Sequence, residues 1–189
     1  MTDQEFFSVH HALNINVEPL EVGYTLPSAE EFVSEIPTPF IVASEFSQLD
    51  MLTEQAKLEM KSNDFRHVFQ LLDTQNAKLN LLLTFMLSQE DSAAFRYKTA
   101  TFGASQFAYH SDTPLALNTP VRAKLFIEHP SAAIYCYGSV VACEVHDDEH
   151  HLITVKYDLL RDADQDLLIK AALHQQQKLL RQRSLDREK

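Results

Sequence analysis

Residues 132–145 read AAIYCYGSVVACEV, a run of β-branched, aromatic and small residues broken only by Glu144. This composition is typical of a β-strand, and the run is long for one strand. Gly138 stands near its middle, where a bulge or a corner would let a sheet curl. The stretch therefore predicts a long central strand in a curled or closed antiparallel sheet.

Four neighbouring stretches also show the alternating pattern of strands, at about residues 95–102, 104–111, 120–128 and 151–157. Short connections between five consecutive strands predict an antiparallel meander or a closed barrel. A last helix is expected to begin at Asp162 or Asp164 and to lie against one barrel mouth. Its apolar side is expected to hold Leu167, Leu168, Ala171, Leu173, Leu179 and Leu180.

The chain has neither proline nor glycine between Phe40 and Phe102, which favours sustained helix before the sheet. Apolar residues recur there every seven positions, a pattern typical of a coiled-coil or bundle interface. We predict a long helix over residues 45–91 that forms an oligomer. The predicted interface residues are Met51, Leu58, Phe65, Leu72, Leu79 and Met86.

Two alternatives remain open for this helix. The polar run Ser62-Asn63-Asp64 interrupts the apolar stripe, so the helix can bend there and a second helix can begin. The helix can also pack on the barrel of its own chain instead of on another copy. A helix of about 35 residues spans roughly 50 Å, more than a small barrel covers, which favours the oligomer.

The first 44 residues are treated as an acidic N-terminal segment. Residues 1–50 contain nine acidic residues and no lysine or arginine. Alternating apolar residues between 6 and 17 predict one short strand, and Ser28 followed by Glu31 predicts the start of a short helix. The predicted division is therefore 1–44 for this segment, 45–91 for the long helix and 92–189 for the barrel with its closing helix, an α+β chain.

Composition and charge exclude several classes of function. The net charge of −11 argues against a nucleic-acid partner. Cys136 and Cys143 are seven residues apart, so on one strand they are expected to face opposite sides and not to pair. No apolar run of about 20 residues occurs, which argues against membrane insertion. These features together predict a reduced, cytoplasmic setting.

The sequence does not favour catalysis or a bound metal. No GxSxG, HExxH or glycine-rich phosphate loop is present among only three glycines. His146, His150 and His151 surround an acidic turn, but adjacent His150 and His151 are expected to point to opposite faces of a strand. We therefore expect a protein that is not an enzyme and has no metal site.

Three stretches resemble the PilZ domain, over about residues 95–185. They are FGASQFAYHSDTPLALNTPVRAKLFI, AIYCYGSVVACE and LITVKYDLLRDADQDLLIKAALHQQQKLLRQR. The PilZ domain is a small bacterial β-barrel followed by a helix, best known as a receptor for cyclic di-GMP. The resemblance implies a PilZ-like antiparallel barrel with a C-terminal helix, in a bacterial cyclic-di-GMP signalling setting.

PilZ proteins that bind cyclic di-GMP use an RxxxR segment before the barrel and a [D/N]xSxxG strand within it. Laid over this sequence, the second motif falls on Thr101, Gly103 and Gln106, and none of them matches. No RxxxR segment precedes the barrel, where the nearest basic residues are Arg96 and Lys98. We expect no cofactor; if cyclic di-GMP binds as a ligand, these five residues are the candidates by position.

A long heptad helix joined to a PilZ-like barrel with degenerate motifs resembles the atypical, oligomeric branch of that family. This resemblance implies a non-catalytic signalling adaptor or scaffold in the cyclic-di-GMP pathway. It would act as a homo-oligomer, a dimer or a tetramer, through contacts with an unidentified protein partner. The alternative is a cyclic-di-GMP-binding PilZ receptor with an atypical site.

Overall fold

The computed structural model describes residues 8–59, 65–127, 132–146 and 150–187. It contains seven strands, four helices and a short 3-10 turn over Ala93–Phe95 in these ranges. The strands are β1 Ser8–His10, β2 Asn14–Pro19, β3 Arg96–Gly103, β4 Gln106–Ser111, β5 Pro120–Ile127, β6 Ala132–Val145 and β7 His151–Leu159. The helices are α1 Ala29–Glu35, α2 Thr38–Glu59, α3 Arg66–Ser88 and α4 Asp162–Arg187.

Six strands close into an antiparallel barrel in the order β3-β2-β5-β6-β7-β4, because β3 also pairs with β4. The short β1 pairs with β3 on the same side as β2. The predicted antiparallel barrel with a C-terminal helix is therefore confirmed. All five strands expected between residues 95 and 157 are present, with bounds shifted by a few residues.

Buried and outward-facing residues alternate strictly along β5, which explains how this strand forms part of the barrel wall. Val121, Ala123, Leu125 and Ile127 are buried inside the barrel, whereas Arg122 and Lys124 point to the outer face. Apolar residues of β2, β6 and β7 join this interior cluster. Burying one face of each strand fixes the register, because a slip by one residue would turn the apolar side chains outward.

A second core lies outside the barrel, between β6 and the helices. Ala133, Tyr135 and Tyr137 on the outer face of β6 pack against Phe40 of α2 and Leu83 of α3. Here β6 is buried on both faces, which explains its nearly continuous apolar sequence. Helix α1 also contacts this core, and it begins with the capping box that Ser28 and Glu31 predict.

The expected single helix over 45–91 is wrong. Helix α2 begins earlier, at Thr38, and α3 runs back along it, because Leu83 joins the same cluster as Phe40 and Ala43. Burying apolar side chains on both helices and on the barrel favours this hairpin over one extended helix. The Ser62-Asn63-Asp64 run lies outside the described residues.

The predicted boundary at residue 44 does not coincide with a structural one. Strands β1 and β2 of the acidic segment are part of the barrel sheet, and β2 lies between β3 and β5. One strand was expected between 6 and 17, but the chain breaks pairing at 11–13 and forms two. Short strands with mixed polar residues carry a weak periodic signal, so their sheet partners are not evident from the sequence.

The expectation that Cys136 and Cys143 face opposite sides is also wrong. Both cysteines are free and lie against the barrel interior. The reason is a register shift of β6 against β7 between Val140 and Ala142, which reverses the alternation between the two cysteines. Burial raises the pKa of the Cys136 thiol well above its ordinary value, so this cysteine stays protonated.

Helix α4 begins at Asp162, as predicted, and its first turns cover the barrel. Leu167, Leu168 and Ala171 are buried there. The expected apolar side is only partly correct, because Leu173, Leu179 and Leu180 are exposed. Asp164 is fully buried, and Arg161 donates hydrogen bonds of 2.7 and 2.8 Å to its carboxylate.

None of the described helices is both long and apolar enough to cross a bilayer.

Gly138 is required where β6 crosses closely over β7. A Cβ at this position would collide with the carbonyl oxygen of Lys156 and lie 2.8 Å from Cγ1 of Val155. We expect Gly138→Ala to lower the free energy of unfolding by about 1–3 kcal/mol, because backbone must move to admit the methyl group. Urea unfolding would measure this. Ser139→Ala, the adjacent control, should change stability by less than about 0.5 kcal/mol; an equal effect of both substitutions would contradict the close approach.

Candidate functional site

Polar side chains line up across four strands on the outer wall of the barrel. Cross-strand pairing places Arg96 of β3 beside Asn16 of β2, Asn16 beside Lys124 of β5, and Lys124 beside Tyr135 of β6. A parallel row pairs Glu18 of β2 with Arg122 of β5. We call these six residues the charged wall.

A cavity of about 360 Å³ lies over the charged wall. Its floor is formed by the β2, β5 and β6 side chains, and its rim by Glu35 and Pro37 near α1 and by Ser92 and Phe95 before β3. The volume is at the lower end of the range of small-molecule sites. The cavity therefore has the size of a site for a small polar group, with both cationic and anionic walls.

The basic groups of the charged wall are already paired with carboxylates of the same chain. Arg122 donates a 2.9 Å hydrogen bond from Nε, and a second from its terminal nitrogen, to Glu18. Nζ of Lys124 lies 2.9 Å from the Glu90 carboxylate. Burial opposes the positive charge of Arg122, but the hydrogen bond and the attraction of Glu18 outweigh it and raise its pKa.

Asn16 of the charged wall forms hydrogen bonds with the residues that follow α3. Its amide donates to the Asp91 carboxylate at 2.8 Å and accepts from the Ser92 backbone N–H at 2.7 Å. Arg96 lies 2.8 Å from the same carboxylate. Burial by itself raises the pKa of Asp91, but the hydrogen bonds and charges of Arg96, Asn16 and Lys124 outweigh it and hold the pKa below its ordinary value.

Tyr135 and Glu35 line the other side of the cavity, and the Tyr137 hydroxyl contacts both of them. The Tyr137 hydroxyl donates to the Glu35 carboxylate of α1 at 2.6 Å and lies 3.4 Å from the Tyr135 hydroxyl. Burial, followed by the hydrogen bond to Glu35, raises the pKa of Tyr137 well above its ordinary value. The phenol therefore stays protonated and holds α1 on the barrel at neutral pH.

The lowered pKa of Asp91 predicts a pH-dependent contribution to stability. Because its folded-state pKa lies below the unfolded one, the contribution is present at neutral pH and is lost as the pH falls through the folded pKa. We expect Asp91→Asn to cost about 1 kcal/mol at pH 7, and the difference to shrink in acid. Urea unfolding between pH 7 and pH 3 would measure it; a constant difference would contradict it. Glu21→Gln, which removes an exposed carboxyl elsewhere, controls for net charge.

The structure does not bring the five candidate nucleotide ligands together. Arg96 and Lys98 lie at the start of β3, Thr101 and Gly103 near its end, and Gln106 at the start of β4. The strand rise separates Arg96 from Gly103 by roughly 20 Å. Arg96 alone of the five belongs to the charged wall.

Sequence reasoning missed most of the charged wall. Arg122 and Lys124 carry a signal, because they alternate with buried residues of β5. Asn16 and Glu18 carry none, since β2 was not expected to lie beside β5. Their role depends on strand pairing between segments about 100 residues apart.

The second candidate site is the outward face of α3. Seven residues at heptad positions a and d, the first directly before α3 and six within it, form a continuous stripe, which we call the α3 seam: Phe65, Val68, Leu72, Gln75, Leu79, Leu82 and Met86. All seven are exposed, with Leu72 and Leu79 each at 46% and Leu82 at 62%. Of the expected interface residues, Phe65, Leu72, Leu79 and Met86 lie on this seam; Met51 and Leu58 lie on α2, and their side chains are outside the described part of the structure.

Comparisons by sequence give no match. No protein-family profile matches the chain. No curated protein matches it either.

Comparison by structure gives clear matches at low identity. The Bacillus subtilis inhibitor of motility, MotI/DgrA, is 10% identical with a TM-score of 0.50 over 94% of this chain, which spans 53% of that protein. A Xanthomonas campestris protein is 14% identical with a TM-score of 0.54, over 94% of this chain and 91% of the other. It is described as a tetrameric PilZ domain self-assembled through an unusual helical bundle. Together with the closed six-stranded barrel and its C-terminal helix, these matches give the chain a PilZ-like fold.

Proposed function

We propose that this protein is a non-catalytic PilZ-like signalling adaptor in the cyclic-di-GMP pathway of a bacterial cytoplasm. It acts as a homo-oligomer, a dimer or a tetramer, and contacts an unidentified protein partner. It needs no cofactor for this role. The observation that carries the proposal is the exposed apolar seam of α3.

The α3 seam supports self-association. Helix α3 already contacts α2 and the barrel through another side, where Leu83 is buried, and still exposes large apolar side chains along its whole length. Contiguous apolar surface of this extent is typical of interaction sites. A heptad pattern makes another helix with the same pattern the natural partner.

The charged wall supports an adaptor over a receptor. Arg122, Lys124 and Arg96 are each neutralised by a carboxylate of the chain itself. A phosphate ligand would have to displace those carboxylates before it gained the same cations. Its net affinity would be the difference between two similar interactions, and hence small.

The names of the structural neighbours agree with this role. One is described as an inhibitor of motility, and the other as a PilZ domain that self-assembles through helices. We extend both descriptions to this chain as part of the proposal: an oligomer built on α3 that links cyclic-di-GMP signalling to motility or attachment.

One observation favours the receptor alternative. Arg96, Lys98, Arg122 and Lys124 lie on the outer face of neighbouring strands, and such a group can hold a dinucleotide phosphate. In this reading, cyclic di-GMP is a ligand that replaces Glu18 and Glu90 on the wall.

Calorimetric titration with cyclic di-GMP separates the two functions, with GMP as the control nucleotide. The adaptor role predicts no saturable heat at protein concentrations of tens of micromolar. A Kd in the micromolar range or tighter would overturn it in favour of the receptor. In that case Arg122→Gln should abolish the heat if the charged wall is the site, whereas Lys178→Gln on α4 should leave it unchanged.

A further inference from the structure

Gln75 is the polar member of the α3 seam, and it stands at the seam's centre. Three apolar residues precede it and three follow it at the a and d positions. Its side chain is exposed in the single chain, so it costs nothing there. In an oligomer built on the seam, however, its amide would be removed from water and would need a hydrogen-bond partner.

The seam has the area of a specific interface. Eight large apolar residues are exposed at its a and d positions and along its flank at Leu71 and Phe85. With about half of each side chain's roughly 200 Å² exposed, they offer on the order of 800 Å² per copy. This is the area that one partner contributes to a stable interface of standard size. A second copy of this chain presents the same surface and therefore fits it.

The orientation of the second copy follows from where Gln75 falls. When two heptad helices pair in parallel and in register, a residues meet a residues and d residues meet d residues. Gln75 then meets Gln75 of the second copy, and the two amides can hydrogen-bond to each other. All six apolar residues of the seam meet their own equivalents.

An antiparallel arrangement leaves the amide without a partner. There, a residues pack beside d residues of the other helix, so Gln75 would meet Leu72 or Leu79. Sliding the helices to avoid this contact would unpair apolar residues at the ends of the seam. A single polar residue in such a seam is a known determinant of register and orientation.

The barrel does not obstruct a parallel pair. On a helical projection, the side of α3 that carries Leu83 and Leu87 lies about 90° from the centre of the seam. The barrels would therefore lie beside the helix pair, both near the carboxyl ends of α3. This geometry leaves the seam open along its whole length.

We infer that α3 pairs with α3 of a second copy in parallel and in register, with Gln75 opposite Gln75. The inference rests on the proposed function, because it requires self-association through α3. It goes beyond that function by fixing the partner segment, its direction and the residue that selects them. In a dimer or a larger assembly alike, equivalent residues at both ends of α3 would be neighbours.

Distances between spin labels on full-length protein test the inference. Arg66 and Ser88, one at each end of α3, are replaced by cysteine and labelled in separate variants, with Cys143→Ala in the background and Cys136 buried. Parallel pairing predicts short distances between copies, below about 25 Å, for both labels. Antiparallel pairing predicts a long distance, about 30 Å or more, for the Ser88 label whether Gln75 meets Leu72 or Leu79, because the two Ser88 residues would then lie roughly 33 Å or more apart along the helix axis.

Gln75→Leu supplies the matched variant. It keeps the seam apolar and should keep the chain oligomeric, but it should add a second, long distance population at the Ser88 label because the selection against the antiparallel form is lost. Long distances from a wild-type oligomer would overturn the parallel register and leave the proposed function intact. Monomeric labelled protein, checked by light scattering on the same sample, would overturn both.

Discussion

The double substitution Leu72→Glu with Leu79→Glu should convert the proposed oligomer into monomer. Both leucines lie on the α3 seam and are 46% exposed in the single chain, so glutamate is tolerated in the monomer. In the oligomer each copy would bury two carboxylates without cationic partners, which costs several kcal/mol per charge. Sedimentation velocity would show a single species with the mass of one chain, 21.6 kDa.

The matched control places two glutamates on the same helix but away from the seam. Thr74 and Ala77 are exposed and lie on the solvent side of α3. Thr74→Glu with Ala77→Glu changes the net charge by the same amount and should leave the oligomer intact. Unchanged mass of the Leu72/Leu79 variant, or equal dissociation of both variants, would contradict an interface on this seam.

The second large effect is expected at Phe40, which holds the helical hairpin against the barrel. Its ring is fully buried, and its centroid lies 5.9 Å from that of Phe126 and 6.3 Å from that of Tyr135. Phe40→Ala would remove the central contact between α2 and the outer face of the barrel. We expect the free energy of unfolding to fall by about 3–5 kcal/mol, as for other large-to-small changes in a core.

The measurement for Phe40 is urea unfolding in the monomeric Leu72→Glu, Leu79→Glu background, so that association does not contribute to stability. Leu117→Ala is the control, because Leu117 is 61% exposed in a loop and should change stability by less than about 0.5 kcal/mol. A loss below about 1 kcal/mol for Phe40→Ala would mean that the second core does not hold the hairpin.

The barrel was predictable because each of its later strands carries a complete local signal. In β5, buried and outward residues alternate without exception, and residues 132–138 of β6 are continuously apolar because both faces of the strand are covered there. The apolar repeat of α3 likewise appears in the sequence as a heptad. These features depend on residues close together in the chain, which is where periodicity is informative.

There is a physical reason why the hairpin of α2 and α3 and the first strands could not be predicted from the sequence. The repeat that runs from Met51 to Met86 is the same whether the helix continues or turns back. The turn is decided by tertiary contacts, chiefly those of Leu83 with the α2 cluster. Strand β2 has polar residues at alternate positions and gains its place only by pairing with β3 and β5.

The ion pairs of the charged wall could not be predicted from the sequence either. Arg122 and Lys124 alternate with the buried residues of β5, so their place on the outer face follows from the local pattern. Their partners Glu18 and Glu90 are 104 and 34 residues away in the chain. Whether a basic residue is free for a ligand or already neutralised is therefore a property of the folded chain, not of a motif.

The most direct test of the central claim is the molar mass of the wild-type protein in solution. Light scattering behind size-exclusion chromatography, at several concentrations in the micromolar range, gives this mass without any variant. Self-association through the α3 seam predicts a mass that is a whole multiple of 21.6 kDa, with two or four copies. A mass of 21.6 kDa at every concentration would contradict it.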